Sequence, residues 1–258
     1  MRSRRMIQIE AKYRKFLLRF FQKQFPIYLV TEYPKSGASW LGQMLSECIP
    51  APFPRQKFPK FGKSIFHGHY LQKKYNGPTV VFWRDPRDIM VSWYYHCLFQ
   101  SDKNHPSFVA QHVCALQFKD VENISKNLPR FIDFMFTTPL SPRFTFNMFF
   151  DSWFDFSSAV HVKYESMISD TGATLVSTLN NLGIECKRET IDKSVEKYSF
   201  NNQANRAPGD EKTTSYLRKG IVGDWKNHFT DESKQIFLNH IGNRLVQLEY
   251  EQDNTWAK

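Results

Sequence analysis

Eight consecutive residues, Tyr33-Pro34-Lys35-Ser36-Gly37-Ala38-Ser39-Trp40, combine side chains suited to holding an anion. Gly37 lets the backbone approach a bound group closely, Ser36 and Ser39 add hydroxyl donors, and Lys35 sets a cation beside them. An apolar run, Pro26 to Val30, precedes the stretch, and Leu41, Met44 and Leu45 follow at helical spacing. A strand, a tight small-residue turn and a helix start form a phosphate cradle, because the first amides of a helix lack intrahelical acceptors and the helix dipole favours an anion there. Nucleoside triphosphatases use G-x-x-x-x-G-K-[ST], with the lysine after the last glycine. Here Lys35 precedes the loop's only glycine and an indole follows, so the loop is read as a cradle for a different nucleotide.

The elements that must position this chemistry alternate along the chain. Pro78-Thr79-Val80-Val81-Phe82-Trp83 is a continuous apolar run, as in a buried parallel strand. Arg84 ends it. Asp85-Pro86-Arg87-Asp88 then reads as a capping Asp, a Pro at the first helical position and an acid in the first turn, opening a helix from about Pro86 to Phe99. That setting turns Arg84 from a surface ion-pair candidate into a site candidate. Ser64 to Leu71 is a short extended stretch carrying His67 and His69, and Ala159 to Tyr164 is a further strand. Asp170 caps a helix through Asn181 with Gly183 as its stop, Ile191 to Tyr198 is a short helix, Asn201 to Lys212 is a loop, and Thr230 caps a last helix to about Glu249. Pro50 to Lys63 is too rich in proline for regular structure. Strands alternating with helices imply an α/β fold with a central, mainly parallel sheet flanked by helices, like that of P-loop nucleotidases. Ligands of such sheets sit at the carboxyl ends of strands, where the 34–40 loop, Arg84 and Tyr164 all fall.

With 258 residues the chain can bury a full core, and residues 1–258 are read as one domain. The net charge of +10 calls for an anionic partner, yet no zinc-finger, RNP or basic-zipper pattern points to nucleic acid. Cys48, Cys97, Cys114 and Cys186 are widely spaced, which suits reduced thiols in a cytoplasmic protein. No apolar run reaches the ~20 residues of a membrane span, and no secretory signal or metal-ligand spacing is visible. Residues 1–25 read as a basic amphipathic helix. Arg2, Arg4, Arg5, Lys12, Arg14, Lys15, Arg19 and Lys23 alternate with Met6, Ile9, Tyr13, Phe16, Leu17, Phe20 and Phe21. Packing on the domain is favoured for its apolar stripe, and peripheral membrane contact is the sharper alternative. The 16% aromatic content is concentrated in Phe131, Phe134, Phe136, Phe144, Phe146, Phe149, Phe150, Trp153, Phe154 and Phe156, a segment read as core before pocket.

Three segments together resemble the sulfotransferases that use 3′-phosphoadenosine 5′-phosphosulfate (PAPS), within them the soluble cytosolic type. Tyr33 to Trp40 is similar to the family's Y-P-K-S-G-T-T-W loop, and Arg84 to Asp88 with Val91-Ser92 to its 3′-phosphate segment. Arg218-Lys219-Gly220-Ile221-Val222-Gly223-Asp224-Trp225-Lys226-Asn227-His228-Phe229-Thr230 is similar to its R-K-G-x-x-G-D-W-K-N-x-F-T segment. The resemblance implies that Lys35, Ser36, Gly37, Ala38 and Ser39 hold the 5′-phosphosulfate, with no metal. It implies that Arg84, Ser92, Arg218, Lys219 and Gly220 hold the 3′-phosphate, for which arginine's planar fork is suited. Trp40, Tyr164 and Phe200 match positions that contact the adenine. Lys35 is assigned to the charge that builds on the leaving phosphate oxygen, a contribution that grows toward the transition state.

The family's general base is a histidine in K-T-H. Alignment with Phe66-His67-Gly68-His69-Tyr70 makes His69 the base and puts His67 where lysine is usual, and His67 stays open as the alternative. Ala38 stands where the family has a hydroxyl or amide side chain, and the intervals from Lys35 to His69 and from Arg84 to Tyr164 differ from those of typical members. The resemblance therefore implies a small-molecule acceptor without naming it. An apolar or aromatic alcohol follows if the phenylalanine segment lines the pocket. His96, His105, His112, His161, His228, His240, Asp224 and Trp225 are read as structural. Two other classes are weighed: a catalytically inactive PAP-binding module acting at a membrane or protein partner, and a nucleotide kinase, which the order of Lys35 and Gly37 argues against. Nothing in the sequence fixes the oligomeric state.

Overall fold

The computed structural model describes residues 4–55, 57–59, 61–99, 113, 116–139 and 143–258. Arg2, His105, His112 and Cys114 lie outside the described residues. The elements run α1 (Arg4–Phe20), β1 (Ile27–Glu32), α2 (Ala38–Cys48), β2 (Ser64–Gly68), β3 (Thr79–Trp83), α3 (Pro86–Leu98), α4 (Ile124–Thr137), α5 (Phe146–Trp153), β4 (Val160–Lys163), α6 (Tyr164–Ser169), α7 (Thr171–Asn181), α8 (Arg188–Lys197), α9 (Phe200–Ala204), α10 (Asp231–Ile241) and α11 (Arg244–Gln247). Short 3₁₀ turns lie at Asp224–Asn227 and Asn254–Ala257. No described helix is long and apolar enough to cross a membrane.

The chain forms two compact units, each from two stretches of sequence: Met1–Trp83 with Ser152–Gln203, and Arg84–Asp151 with Ala204–Lys258. The first unit holds a four-stranded parallel sheet in the order β2-β1-β3-β4. Leu29 of β1 stands opposite Phe66 of β2 and Thr79 of β3, and Val80 of β3 opposite Val160 of β4. All residues of β1 and β3 are buried, as expected of strands covered on both faces. Tyr28, Val30, Ile65, Val80, Phe82 and Val162 pack with Leu41, Met44 and Leu45 of α2 and with Leu175, Leu179 and Ile191 of α7 and α8. Because the strands are parallel, their carboxyl ends share one edge of the sheet, and the segments that begin at Tyr33, His69, Arg84 and Tyr164 leave from it.

In the second unit, α4 and α10 build the core around Phe131 and Phe237, both fully buried, with Phe136 packed edge-on against Phe237. Phe131, Phe136, Phe144, Phe146, Phe149, Phe150 and Trp153 are all buried, so most of the phenylalanine segment is core. Arg87 is buried as well. It pairs with Asp85 (2.8 Å) and Glu251, and its guanidinium lies over Trp225 (3.9 Å) and Trp256 (4.7 Å).

Local chemistry explains most boundaries. Asp85 accepts from the Arg87 amide (2.9 Å), with Pro86 as the first residue of α3. Asp170 accepts from Ala173 (2.8 Å), and Gly183 past the end of α7 takes φ +69°. Thr230 caps α10 through the Ser233 amide. Four boundaries differ from the sequence expectation. The N-terminal helix ends at Phe20 rather than at residue 25, giving way to turns closed by Phe21, Phe25 and Ile27 amides. The helix expected from Ile191 starts three residues earlier. Residues 201–204, expected as loop, complete a helical turn begun at Phe200, held by the Gln203 amide on the Ser199 carbonyl (3.0 Å). The last helix does not reach Glu249: Gly242 adopts φ +57° and ψ −138°, and α11 restarts beyond it.

Candidate active site

β1 delivers Glu32 to the sheet edge, and the chain then turns through Tyr33 to Gly37 into α2. The turn is tight: Lys35 and Gly37 both take left-handed backbone, at φ +76° and +102°. For lysine that conformation costs about 1–2 kcal/mol, so the surrounding packing holds it there. At Gly37 a Cβ would meet the Tyr164 ring at 3.3 Å. Ser36 is buried and its hydroxyl donates to the Tyr33 carbonyl (2.7 Å). Ala38 is fully buried in the α2 core, where a hydroxyl would need a partner; that is the physical setting of the non-hydroxylic residue here. Trp40 donates its indole N–H to the Tyr198 carbonyl (2.8 Å) and meets the Tyr164 ring edge-on at 6.2 Å. Phe200, half-buried, opens α9 two residues beyond Tyr198. The first unit thus gathers Lys35, Gly37, Trp40 and Tyr164 around one turn.

Glu32, which sequence reasoning passed over, organises the same edge. Its buried carboxylate accepts from the Ala38 amide at the α2 N-terminus (2.6 Å) and bonds His67 Nε2 (2.9 Å). Burial raises its pKa, but the hydrogen bond and charge of His67, the His69 charge and the Ala38 amide outweigh this and hold it below the usual carboxylate range. His69 Nδ1 lies 3.2 Å from the Glu32 carbonyl oxygen. A carbonyl only accepts, so Nδ1 carries the proton and Nε2 presents a lone pair. Burial pushes the His69 pKa down to about 4, helped by the His67 and Lys35 charges and opposed by Glu32. The ring is neutral near pH 7. His67 and His69 stand edge to face at 5.6 Å. Between them Gly68 lies under Tyr70, where a Cβ would come within 2.5 Å of the ring. Tyr70 is fixed in turn: its carbonyl accepts from Trp153 Nε1 (2.7 Å) and its amide donates to Thr31 Oγ1 (3.2 Å).

The second unit gathers the remaining candidates. Asp88, Ser92 and Tyr95 share one face of α3 by their spacing, with Arg84 one turn before them. Asp88 accepts from the amides of Gly223 (2.8 Å) and Trp225 (2.9 Å), and Arg84 stands 4.0 Å from its carboxylate. Burial, with the Asp85 charge, raises the Asp88 pKa against the pull of Arg84 and the two amides. Arg218 pairs with Glu211 and Asp224 and lies over the Tyr95 ring (4.3 Å). Lys219 bonds Asp224 at 2.7 Å, and Gly220 takes φ +67°. The face of α3 that bears Ser92 is therefore the face on which the 218–225 loop is pinned. Burial raises the Asp224 pKa, but His228, Lys219 and Arg218 reverse the shift and hold it far below the usual range. Sequence reasoning gave Asp88 a helix-start role only; its spacing of four from both Arg84 and Ser92 was the available signal.

The histidines read as structural have packing or pairing partners where they are described. His96 contacts Tyr216 and Trp93, His161 accepts from Trp83 Nε1 (2.9 Å), His228 stands by Asp224, and His240 pairs with Asp133 while stacked on Phe136.

Comparison with known proteins gives these sites a context. A model described as the sulfotransferase domain matches residues 69–249. Sulfotransferase 1E1 of Cavia porcellus is 23% identical over 87% of this chain and 85% of its own length. The 3-beta-hydroxysteroid sulfotransferase of the same animal is 26% identical over 81% of this chain and 80% of its own. Among solved structures, mouse sulfotransferase SULT7A1 complexed with PAP, the 3′,5′-bisphosphate nucleotide, superposes with a TM-score of 0.64 at 18% identity, covering 87% of this chain and 89% of that one.

Proposed function

Because the chain belongs to the sulfotransferase domain family, we propose that it moves a sulfuryl group from PAPS to a hydroxyl or amine of a small acceptor. The observation that carries the reading is the neutral His69 beside a lysine-bearing strand–loop–helix on one sheet edge, with Nδ1 facing a carbonyl and Nε2 left to accept a proton. The donor set fits the nucleotide by its chemistry. Lys35 and the left-handed turn at Gly37 suit the 5′ end, Trp40, Tyr164 and Phe200 the adenine, and Arg84, Ser92, Arg218, Lys219 and Gly220 the 3′-phosphate. Asp224 and Glu211 hold the guanidinium of Arg218 ready as a fork.

PAPS when bound supplies an activated sulfuryl whose bond to the 5′-phosphate oxygen breaks as the acceptor oxygen or nitrogen bonds to sulfur. His69 Nε2 takes the acceptor proton. Lys35 meets the charge growing on the released phosphate oxygen, which lowers the barrier because the contact strengthens toward the transition state. Glu32 fixes His67 and the start of α2, so His67 acts as an oriented neighbour and His69 as the base. Steroid alcohols, named for one relative, exemplify the apolar acceptor class proposed here. Both units are taken as one catalytic domain, since the family match runs through both. A cytoplasmic location is proposed on the free thiols Cys48, Cys97 and Cys186.

Thermal shift with PAP, PAPS and ATP–magnesium tests the reading. Ligand at ~100 times its dissociation constant stabilises the native state by about 2.7 kcal/mol. PAP is expected to raise Tm, and a response to ATP–magnesium with none to PAP overturns the proposal. Lys35→Ala is expected to lower kcat more than PAP affinity, and His69→Ala to abolish transfer with PAP binding intact. Full activity in His69→Ala would move the base to His67.

A further inference from the structure

The N-terminal helix carries a surface that the reaction does not use. Around α1, Glu10, Arg14, Leu17 and Leu18 form the packed face. Glu10 and Arg14 pair within it at 2.9 Å, and Arg14 lies over Phe66 and donates to the carbonyls of Pro54 and Lys57. A second strip, beside the first, is apolar and open: Ile9 is 53% exposed, Phe16 46% and Phe20 54%. Phe61, 59% exposed, extends it, with ring contacts running Phe20–Phe16–Phe21–Phe61 at 5.2, 5.5 and 6.1 Å. A third strip, next to the second, is cationic: Lys12, Lys15, Arg19 and Lys23 are exposed. The one acid of α1 is Glu10, which is buried and paired, so every described charge that this helix shows to solvent is positive.

We propose that α1 and Phe61 form a docking face for an anionic lipid bilayer, with the phenylalanines and Ile9 entering the headgroup boundary and the lysines and Arg19 meeting the lipid phosphates and carboxylates. Three features select this occupant. The apolar strip and the cationic strip lie side by side along one helix, the arrangement by which an amphipathic helix lies in a membrane interface with its apolar face about 5–10 Å deep. The described charge beside those rings is of one sign, which complements anionic headgroups. A second copy docked antiparallel through the same strip would set the lysines of one chain against those of the other. Arg55, Lys57 and Lys63, exposed on the segment that bears Phe61, add to the same charge.

Co-sedimentation of the full chain with phosphatidylcholine vesicles, with and without phosphatidylserine, tests the proposal. Depletion is expected with phosphatidylserine, weakened by added salt. Phe16→Ser with Phe20→Ser is expected to weaken it about tenfold or more, and each of Lys12→Gln and Lys15→Gln about fivefold. Circular dichroism melts of the variants confirm that these exposed positions leave the fold intact. No depletion by phosphatidylserine vesicles overturns the proposal. So does depletion that ignores the phenylalanine changes and is matched by binding to soluble polyglutamate, which marks an acidic protein site. A wild-type dimer in sedimentation velocity that the phenylalanine changes turn to monomer, without vesicle binding, overturns it in favour of a second copy.

Discussion

Replacing Asp88 by alanine tests how the loop that carries Arg218 is held. The carboxylate is fully buried and accepts two amide hydrogens, from Gly223 at 2.8 Å and Trp225 at 2.9 Å. Alanine leaves both donors in a dry environment, at about 1–3 kcal/mol each, or about 2–6 kcal/mol together. Part of this is offset, because burial already disfavours the charged carboxylate, as its raised pKa records. A net loss of about 2–4 kcal/mol follows, which is a drop in Tm of roughly 4–16 °C for a chain of this size. Asn is no conservative substitute here: two amide donors need two acceptors, and Asn presents one acceptor and one further donor. Urea unfolding of wild type, Asp88→Ala and Asp88→Asn reads the loss directly, and titration with PAP reads the loosened Arg218 and Lys219. A loss under about 1 kcal/mol in both variants would refute the reasoning, since it would mean that the freed amides find other acceptors.

Two further outcomes follow from buried geometry and charge. Gly68→Ala places a methyl against a Tyr70 ring whose backbone is bonded to Trp153 and Thr31; it is expected to destabilise by about 1–3 kcal/mol and to lower kcat through displacement of His69, readable in unfolding and turnover. The His69 pKa, about 4 in the folded chain against ~6.5 unfolded, means that the unfolded chain takes up this proton first. Stability is therefore lost as pH falls from ~6.5 toward ~4, and His69→Gln should remove that part of the acid unfolding profile; kcat/KM should hold until its acid limb near the same lower value. Asp224, with its lowered pKa, adds a loss beginning where unfolded carboxylates protonate, at about pH 4 and below.

What was legible in the sequence was what is contiguous in it. Tyr33 to Trp40, Arg84 to Asp88 and Arg218 to Thr230 each declare their chemistry within a dozen or so residues, and the strands before the first two were visible as unbroken apolar runs. Caps at Asp85, Asp170 and Thr230 were legible for the same reason: cap and first turn are neighbours. Glu32 was not, because its partners are the Ala38 amide and His67, and an acid at the end of a strand has no local mark of burial. The break at Gly242 escaped because one glycine in a helical pattern is tolerated more often than not. At two of its three crossings the two-unit division had no proline- or glycine-rich linker to announce it. One boundary follows the last residue of β3, a second falls inside α5, and the third falls inside α9.

The strand order also bears on how the chain is made. β1, β2 and β3 emerge from the ribosome early, but the strand that covers the outer edge of β3 is β4. Roughly seventy-five residues lie between Trp83 and Val160, which at about 5–20 residues/s is a delay of several seconds to about fifteen. Through that interval the nascent chain shows the unpaired edge of an apolar strand, Thr79 to Trp83, while the sequence of the second unit is still being added. Translation speed and access to a chaperone that shields this edge therefore bear on the yield of folded enzyme, and a ribosome paused after β3 has emerged and before β4 has done so would hold the chain at its most adhesive.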